Sequence, residues 1–566
     1  MMNTKLLATG TRIVPPPDFP VMWANPEDAQ YHWTRDREHM PDPITPMFDS
    51  IAALTAPEGH RRAVPVYEEA VLGRRDCQFN TYDYTRVIPF SGTQEELEAR
   101  AQRYREKVWA VAGQLRQIWE NEWRPALEDD WAFWAAFDVE TAELRALAEH
   151  LEESLPRTTH LYEIHYLMGP PMWFAIDEFE TFFCDLFPGK TPLDAHRLLQ
   201  GFDNKTLEIG RALWRLRDLA KATPAVCRIL LERPAAEVWK TLELSAKGRR
   251  FLNELHGFLT TYGRRSNLWD WGYPSWEDDP TPVINNLKNY LAQPDRDLYA
   301  ELTLAAAERE VAIAQARSDL AGYPHPVIAR FEQLLEAAQI ALVLTENHTY
   351  YIDFNGFGWL HRLIHECGKR LAGAGGLNTP EDVFYLTLPE LREMLADPTL
   401  DRRNLAANRR AEAEKWAAYP EPAELGTRPA EPIHIYSAEG RRIMRYVGGL
   451  VAEAPVPASE PGQLRGQAGS PGKVRGPARV IHSLTEAHRL QPGDILVTTT
   501  TAPPWTPLFL TAAAVVTDAG GLLSHGAVVS REYRIPAVVG TRDATTRIKD
   551  GQMLEVDGDH GIVAFI

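Results

Sequence analysis

The densest run of residues able to do chemistry is Thr517-Asp518-Ala519-Gly520-Gly521-Leu522-Leu523-Ser524-His525-Gly526. The apolar AAAVVTD ahead of the glycines predicts a strand, and the text from Ser524 onward predicts a helix. Ser524 is then an N-cap candidate, and His525 falls in the first turn, where unsatisfied amide N–H groups and the positive end of the helix dipole gather. Gly520 and Gly521 let the backbone approach a bound group with no Cβ in the way, so Gly520, Gly521 and Ser524 are expected to cradle a phosphate. An imidazole titrates near about 6.5, so its neutral, nucleophilic form is abundant at pH 7. His525 can therefore take a phosphoryl group and give it up again, splitting one hard transfer into two easier ones. No cysteine or second histidine stands at ligand spacing, so no metal is expected here. The bland alternative is a satisfied histidine at a helix start.

The elements that must position this motif change character along the chain. With 566 residues, two to four domains are expected. Residues 1–92 are rich in Pro, Trp and Tyr and read as irregular, with short elements. From 93 to 420 the pattern is helical. The stretch TQEELEARAQRYREKVWAVAGQLRQIWENEW keeps an apolar stripe behind Ser91 or Thr93 as cap, and similar stripes recur to residue 418 with no fixed repeat period. Residues 421–470 are dominated by Pro, Ala, Glu and Gly and read as a tether, or as an ordinary surface loop. From 471 to 566 short β-rich runs (KVRGPARVI, DILVTTTT, PAVVGT, MLEVDG, HGIVAFI) alternate with helical pieces. The fold class expected is a large, mostly α-helical substrate domain followed by a small C-terminal α/β domain.

Composition narrows the partners. A formal net charge of -18 argues against nucleic acid, whose backbone demands a basic footprint. Four scattered cysteines, Cys77, Cys184, Cys227 and Cys367, read as reduced thiols in a cytoplasmic protein. The N-terminus lacks the apolar run of a signal peptide, and no apolar stretch is long enough to span a membrane.

Residues 470–566 resemble the swivelling phosphohistidine domain of the phosphoenolpyruvate-utilising enzymes. The resemblance runs through GSPGKVRGPARVI, PGDILVTTTTAPPWTPLF, VVTDAGGLLSHGAVVSREYRIPAVVGT and ATTRIKDGQMLEVDGDHGIV. It implies that His525 is the phosphorylated histidine. Gly526 stands where alanine is common, a mild departure. The order of a helical block before the histidine domain is similar to rifampicin phosphotransferases and phenylphosphate synthases. YGRRSNLWDWGYPSWEDDP and LNTPEDVFYLTLPELREML carry that likeness upstream. The family's pyruvate-binding barrel is not expected after Ile566, nor its ATP-grasp domain within 1–92. The resemblance thus implies a dikinase-type phosphotransferase subunit converting ATP to AMP and phosphate. ATP and Mg²⁺ would be held by a separate ATP-grasp subunit, without which this chain is inactive. It implies a small hydroxylated aromatic acceptor such as phenol or 4-cresol (4-methylphenol). Alternatives are a non-enzymatic phosphocarrier or regulator, a scaffold that only binds its partner, and a phosphotransferase for another hydroxylated compound such as an antibiotic.

An acceptor hydroxyl must lose its proton as it attacks, so a base or a cation should sit nearby. Arg264 and Arg265 lie in the aromatic, charged loop YGRRSNLWDWGYPSWEDDPTP, where Trp269, Trp271, Tyr273 and Trp276 could wall an aromatic acceptor or simply pack in the core. In LHRLIHECGKRL, His361, His365 and Lys369 share one helix face at i, i+4 and i+8, with Arg362 and Arg370 beside them. Arg362 lines up with an arginine typical of this helix in the family. Arg265, Arg362 and His361 or His365 are the candidate phosphate and acceptor contacts, with His348 in TENHTYYIDF a further candidate base. Each could equally be a solvated or ion-paired residue.

Overall fold

A computed structural model describes residues 10–37, 39–69, 71–293, 297–419, 421–429 and 462–566. The chain forms two compact units. The first holds residues 1–171, Leu268–Tyr273 and 351–442, and the second holds Met172–Asn267, Pro274–Tyr350 and 443–566. Among the described residues no helix is long and apolar enough to cross a membrane.

The first unit is built on a five-stranded antiparallel sheet. Its order is Thr11–Arg12, Glu424–Arg428, His32–Arg35, Tyr82–Pro89 and Val71–Phe79. Phe19, Trp33, Phe79, Tyr82, Tyr84, Trp416 and Leu425 pack together as its aromatic core. Residues 1–92 are more regular than their composition suggests. Pro46–Tyr67 is a 22-residue helix, and Val71–Phe79 pairs with Tyr82–Pro89 as a long hairpin. Pro57 and Pro65 inside that helix disguised it, since proline removes a ladder hydrogen bond and ordinarily ends a helix. Burial of ten of its residues, Met47, Phe48 and Ile51 among them, outweighs that loss. The helix Gln94–Ala112 starts as its sequence predicts: Thr93 and Glu96 form a reciprocal capping box.

The second unit joins a set of helices to the C-terminal α/β domain. The helices include Lys205–Lys221, Ala246–Tyr262, Thr281–Leu291, Leu298–Asp319 and His325–His348. The α/β domain is an eight-stranded sheet. Its middle strands, Lys473–Val480, Ile495–Thr498, Ala514–Thr517 and Ala537–Val539, run parallel. Antiparallel strands close both sides, with Gln463–Arg465 at one edge and Gln467–Ser470 at the other. Leu464, Ile495, Val497, Val516, Val538, Leu554 and Val556 fill its core. The stretch read as a tether is therefore partly structured. Glu424–Arg428 pairs in the first unit's sheet, and 463–470 supplies both edges of the α/β sheet. Residues 430–461, the middle of that stretch, lie outside the described residues. Sheet-edge strands this short carry too few side chains to show a period-2 pattern.

Candidate functional site

The strand Ala514–Thr517 delivers the chain to the paired glycines, and the helix His525–Glu532 leaves them. Gly520 has φ +109°, and a Cβ there would meet Ser524 Oγ at 2.9 Å. Glycine is required at that position on both counts. Ser524 occupies the N-cap position, but its hydroxyl makes no capping bond. It donates instead to the Gly521 carbonyl at 2.8 Å, so its role is to close the loop rather than to satisfy the helix start. Buried Arg531, two turns on, donates to the carbonyls of Leu522 at 2.7 Å and Gly469 at 2.8 Å, which fastens the loop to the sheet edge. Gly526 also fits tightly, because a Cβ there would lie 2.8 Å from Thr501 Oγ1.

His525 is the first residue of its helix, and its side chain is 7% exposed. Both ring nitrogens are engaged. Nε2 lies 3.1 Å from Thr506 Oγ1, and Nδ1 lies 3.1 Å from Glu346 Oε2. Phe509 meets the ring edge-on. Glu346, on the helix His325–His348, also accepts the Thr206 hydroxyl at 2.6 Å on the same oxygen. Burial pushes the Glu346 carboxyl upward, but His525, Thr206 and the nearby His348 outweigh it and hold it below the ordinary carboxylate value. Glu346 is thus a buried, ionised group facing His525.

Arg265 is buried in the same unit with its guanidinium over the Trp276 ring, 5.0 Å from the centroid. Burial lowers it to about 10, against the attraction of Tyr350 and Glu346. It interacts electrostatically with Glu346. Arg264 instead lies 3.9 Å from Glu277 in a partly exposed ion pair. Trp276 is core, 1% exposed, with its indole N–H donating to Asn267 Oδ1 at 2.9 Å. His348 places Nδ1 3.0 Å from the Leu344 carbonyl one turn back, and contributes its charge to Glu346.

The remaining predicted residues belong to the first unit. Trp269 packs on Phe354 and His39, and Trp271 is buried against Phe48; these two and Tyr273 belong to the first unit, and Trp276 to the second. His361 is buried, stacks on Phe384 with ring planes 4° apart, and holds the Trp271 carbonyl at 2.5 Å from Nδ1. His365 faces Glu381 at 3.4 Å. Arg362 pairs with Glu140 at 3.2 Å, largely in solvent, and exposed Lys369 pairs with buried Glu366 at 3.1 Å. Within this unit these are packing and ion-pairing interactions. The shared helix face runs from buried His361 to exposed Lys369.

Sequence reasoning passed over Glu346, Thr206 and Thr506. A signal for Glu346 existed. Ala338, Leu342 and Glu346 are spaced i, i+4 and i+8 and are all buried, so the carboxylate sits alone on an apolar stripe. His348, two residues later, is the more conspicuous residue in the sequence. Thr206 and Thr506 gave no such signal, since buried threonines are common.

Residues 490–561 match the model of the PEP-utilising enzyme mobile domain, and residues 181–346 match that of the rifampicin phosphotransferase fourth domain. The first match contains His525 and Thr506; the second contains Thr206 and Arg265 and ends on Glu346. The chain thus carries a segment similar to the mobile domain of the PEP-utilising enzymes, joined to a helical region that resembles rifampicin phosphotransferase. Chondramide synthase cmdD of Chondromyces crocatus is 38% identical over 566 residues, covering 97% of this chain and 14% of that protein. The uncharacterized phosphotransferase YvkC of Bacillus subtilis is 28% identical over 407 residues, covering 72% of this chain and 47% of its own length. A rifampicin phosphotransferase of Streptomyces sviceus is 32% identical over 370 residues, covering 64% of this chain and 40% of its own. The chain therefore spans less than half the length of each of these relatives.

Proposed function

We propose that this chain is the histidine-bearing part of an ATP-dependent phosphotransferase that carries a phosphoryl group on His525 and delivers it to the hydroxyl of a small acceptor. The observation that supports this reading most is the docking of His525 against Glu346. It brings the histidine of the mobile domain, nearly buried, beside an ionised carboxylate in the region matched to rifampicin phosphotransferase. Arg265 is the cation assigned to the phosphoryl oxygens, because its buried guanidinium interacts electrostatically with Glu346, the carboxylate facing His525, and a cation so placed stabilises charge that develops in transfer. The loop of Gly520, Gly521 and Ser524 is assigned to the phosphoryl group while it rides on the arm. Charging is assigned to an ATP-grasp partner holding ATP and Mg²⁺, with AMP and phosphate as products. The acceptor is a phenol such as phenol or 4-cresol. A larger hydroxylated acceptor is the second reading, favoured by the match of 181–346 to a rifampicin phosphotransferase domain.

The test mixes the chain with its ATP-grasp partner, γ- and β-labelled ATP and a panel of phenols and hydroxylated antibiotics. Label is expected on His525 and then on one acceptor, with AMP formed. Turnover that survives His525→Ala, or label that never reaches His525, rejects the reading.

A further inference from the structure

The hydrogen bonds around His525 constrain its protons. Thr506 has one hydroxyl hydrogen, and the Pro503 carbonyl takes it at 2.7 Å. In that arrangement Thr506 Oγ1 can only accept, so Nε2 must carry a hydrogen. If the hydroxyl turns toward the ring, it donates to Nε2, which is then a bare lone pair. The two arrangements differ at Nε2 alone. On the other side of the ring Glu346 is an ionised carboxylate already accepting the Thr206 hydroxyl, and a carboxylate can only accept. Nδ1 therefore keeps its hydrogen in both arrangements. The other charged or titratable groups around this pair are His348 on the Glu346 helix, Arg265, and Glu532 on the His525 helix.

We infer that Glu346 is a positioning residue: by holding Nδ1–H it makes Nε2 the nitrogen that carries the phosphoryl group and keeps the ring protonated at Nδ1 while the group leaves. The inference rests on the proposed transfer from His525. In that step the P–Nε2 bond breaks and its electron pair returns to Nε2. A P–O bond forms to the acceptor oxygen, the acceptor's proton passes to water, and the ring departs as neutral imidazole with Nδ1–H still on Glu346. A ring lacking that hydrogen would have to leave as an anion, a far poorer leaving group. Thr206 fixes the carboxylate in turn, so the helix Lys205–Lys221 sets the orientation of a ring on another domain.

Two measurements on the full chain test this. Long-range ¹H–¹⁵N spectra of the histidine-labelled protein should show neutral His525 as the Nδ1–H tautomer. After charging with phosphoramidate, ³¹P spectra should show the Nε2 isomer alone. Glu346→Gln should yield both phospho-isomers and slow transfer to the acceptor about tenfold. An Nε2–H tautomer in the unmodified protein overturns the inference, as does a Glu346→Gln protein with the same single isomer and the same rate. The tautomer arm needs neither the variant to fold nor a phosphoryl donor. Failure of ATP to label His525 would strike the proposed function and leave this arm standing.

Discussion

The Glu532 carboxylate accepts the backbone N–H of Gly201 at 3.0 and 3.2 Å, tying the last residue of the helix that begins at His525 to the helical part of the same unit. Arg309 binds the Gly201 carbonyl at 2.6 Å, Arg534 pairs with Glu308 at 3.0 Å, and Gln293 donates to Thr511 at 2.8 Å. Burial raises Glu532 to about 7, with Gly201, Arg531 and Arg309 opposing the rise and Glu346 adding to it.

That contact makes the arm's seat proton-sensitive. An exposed glutamate titrates near about 4.3, so the pKa in the seated form lies above that of the released form. The stabilisation is then fully present below about pH 4 and is lost as pH rises through about 7. Glu532→Gln keeps an oxygen for the Gly201 N–H and removes the titration. Thermal unfolding should show the variant losing less stability than the parent between about pH 5 and about pH 8, by on the order of 3 kcal/mol at most. Identical slopes for the two proteins would reject the contact as a proton-linked latch.

Gly520→Ala tests the loop. The new Cβ must adopt a left-handed φ and displace Ser524 Oγ, which also holds Gly521. A loss of about 1–3 kcal/mol in urea unfolding is expected, with impaired labelling of His525. Parent-like stability and labelling would show that the loop does not need glycine there.

Arg265→Met tests the cation. The aliphatic chain still packs on Trp276 while the charge facing Glu346 is lost. Delivery to the acceptor should fall about 10²–10³-fold while His525 is still labelled. Single-turnover assays on pre-labelled protein separate the two steps, and equal losses in both would contradict the assignment.

His361 and Arg362 should separate packing from surface pairing. His361→Ala removes the donor to the Trp271 carbonyl and the ring stacked on Phe384, so a loss of about 2–4 kcal/mol is expected. Arg362→Ala breaks an exposed pair with Glu140 and should stay within about 1 kcal/mol. Denaturant titration decides both. Neither change should alter labelling of His525, and a labelling defect in a stably folded variant would assign these residues a part in charging.

The helical block and the small α/β domain were legible because each is written locally, in the apolar stripe behind Thr93 and in the short β-branched runs around Val497, Val516 and Val556. The helix Pro46–Tyr67 was not, since its prolines argue against a helix that only tertiary burial sustains. The loop from Tyr262 to Pro282 reads as one site in sequence, yet Leu268–Tyr273 packs with one unit and its flanks with the other. Adjacency along a chain does not say which core will take a tryptophan.

His525 marks the same division at the centre of the protein. Its helix start and the glycines before it span a few consecutive residues, so the sequence alone determined them. Its partner Glu346 stands 179 positions away on another helix, and Thr206 farther still. No periodicity links residues so distant. Only the folding of the helical segments against the α/β sheet brings a lone buried carboxylate to Nδ1, the contact on which the inferred choice of nitrogen rests.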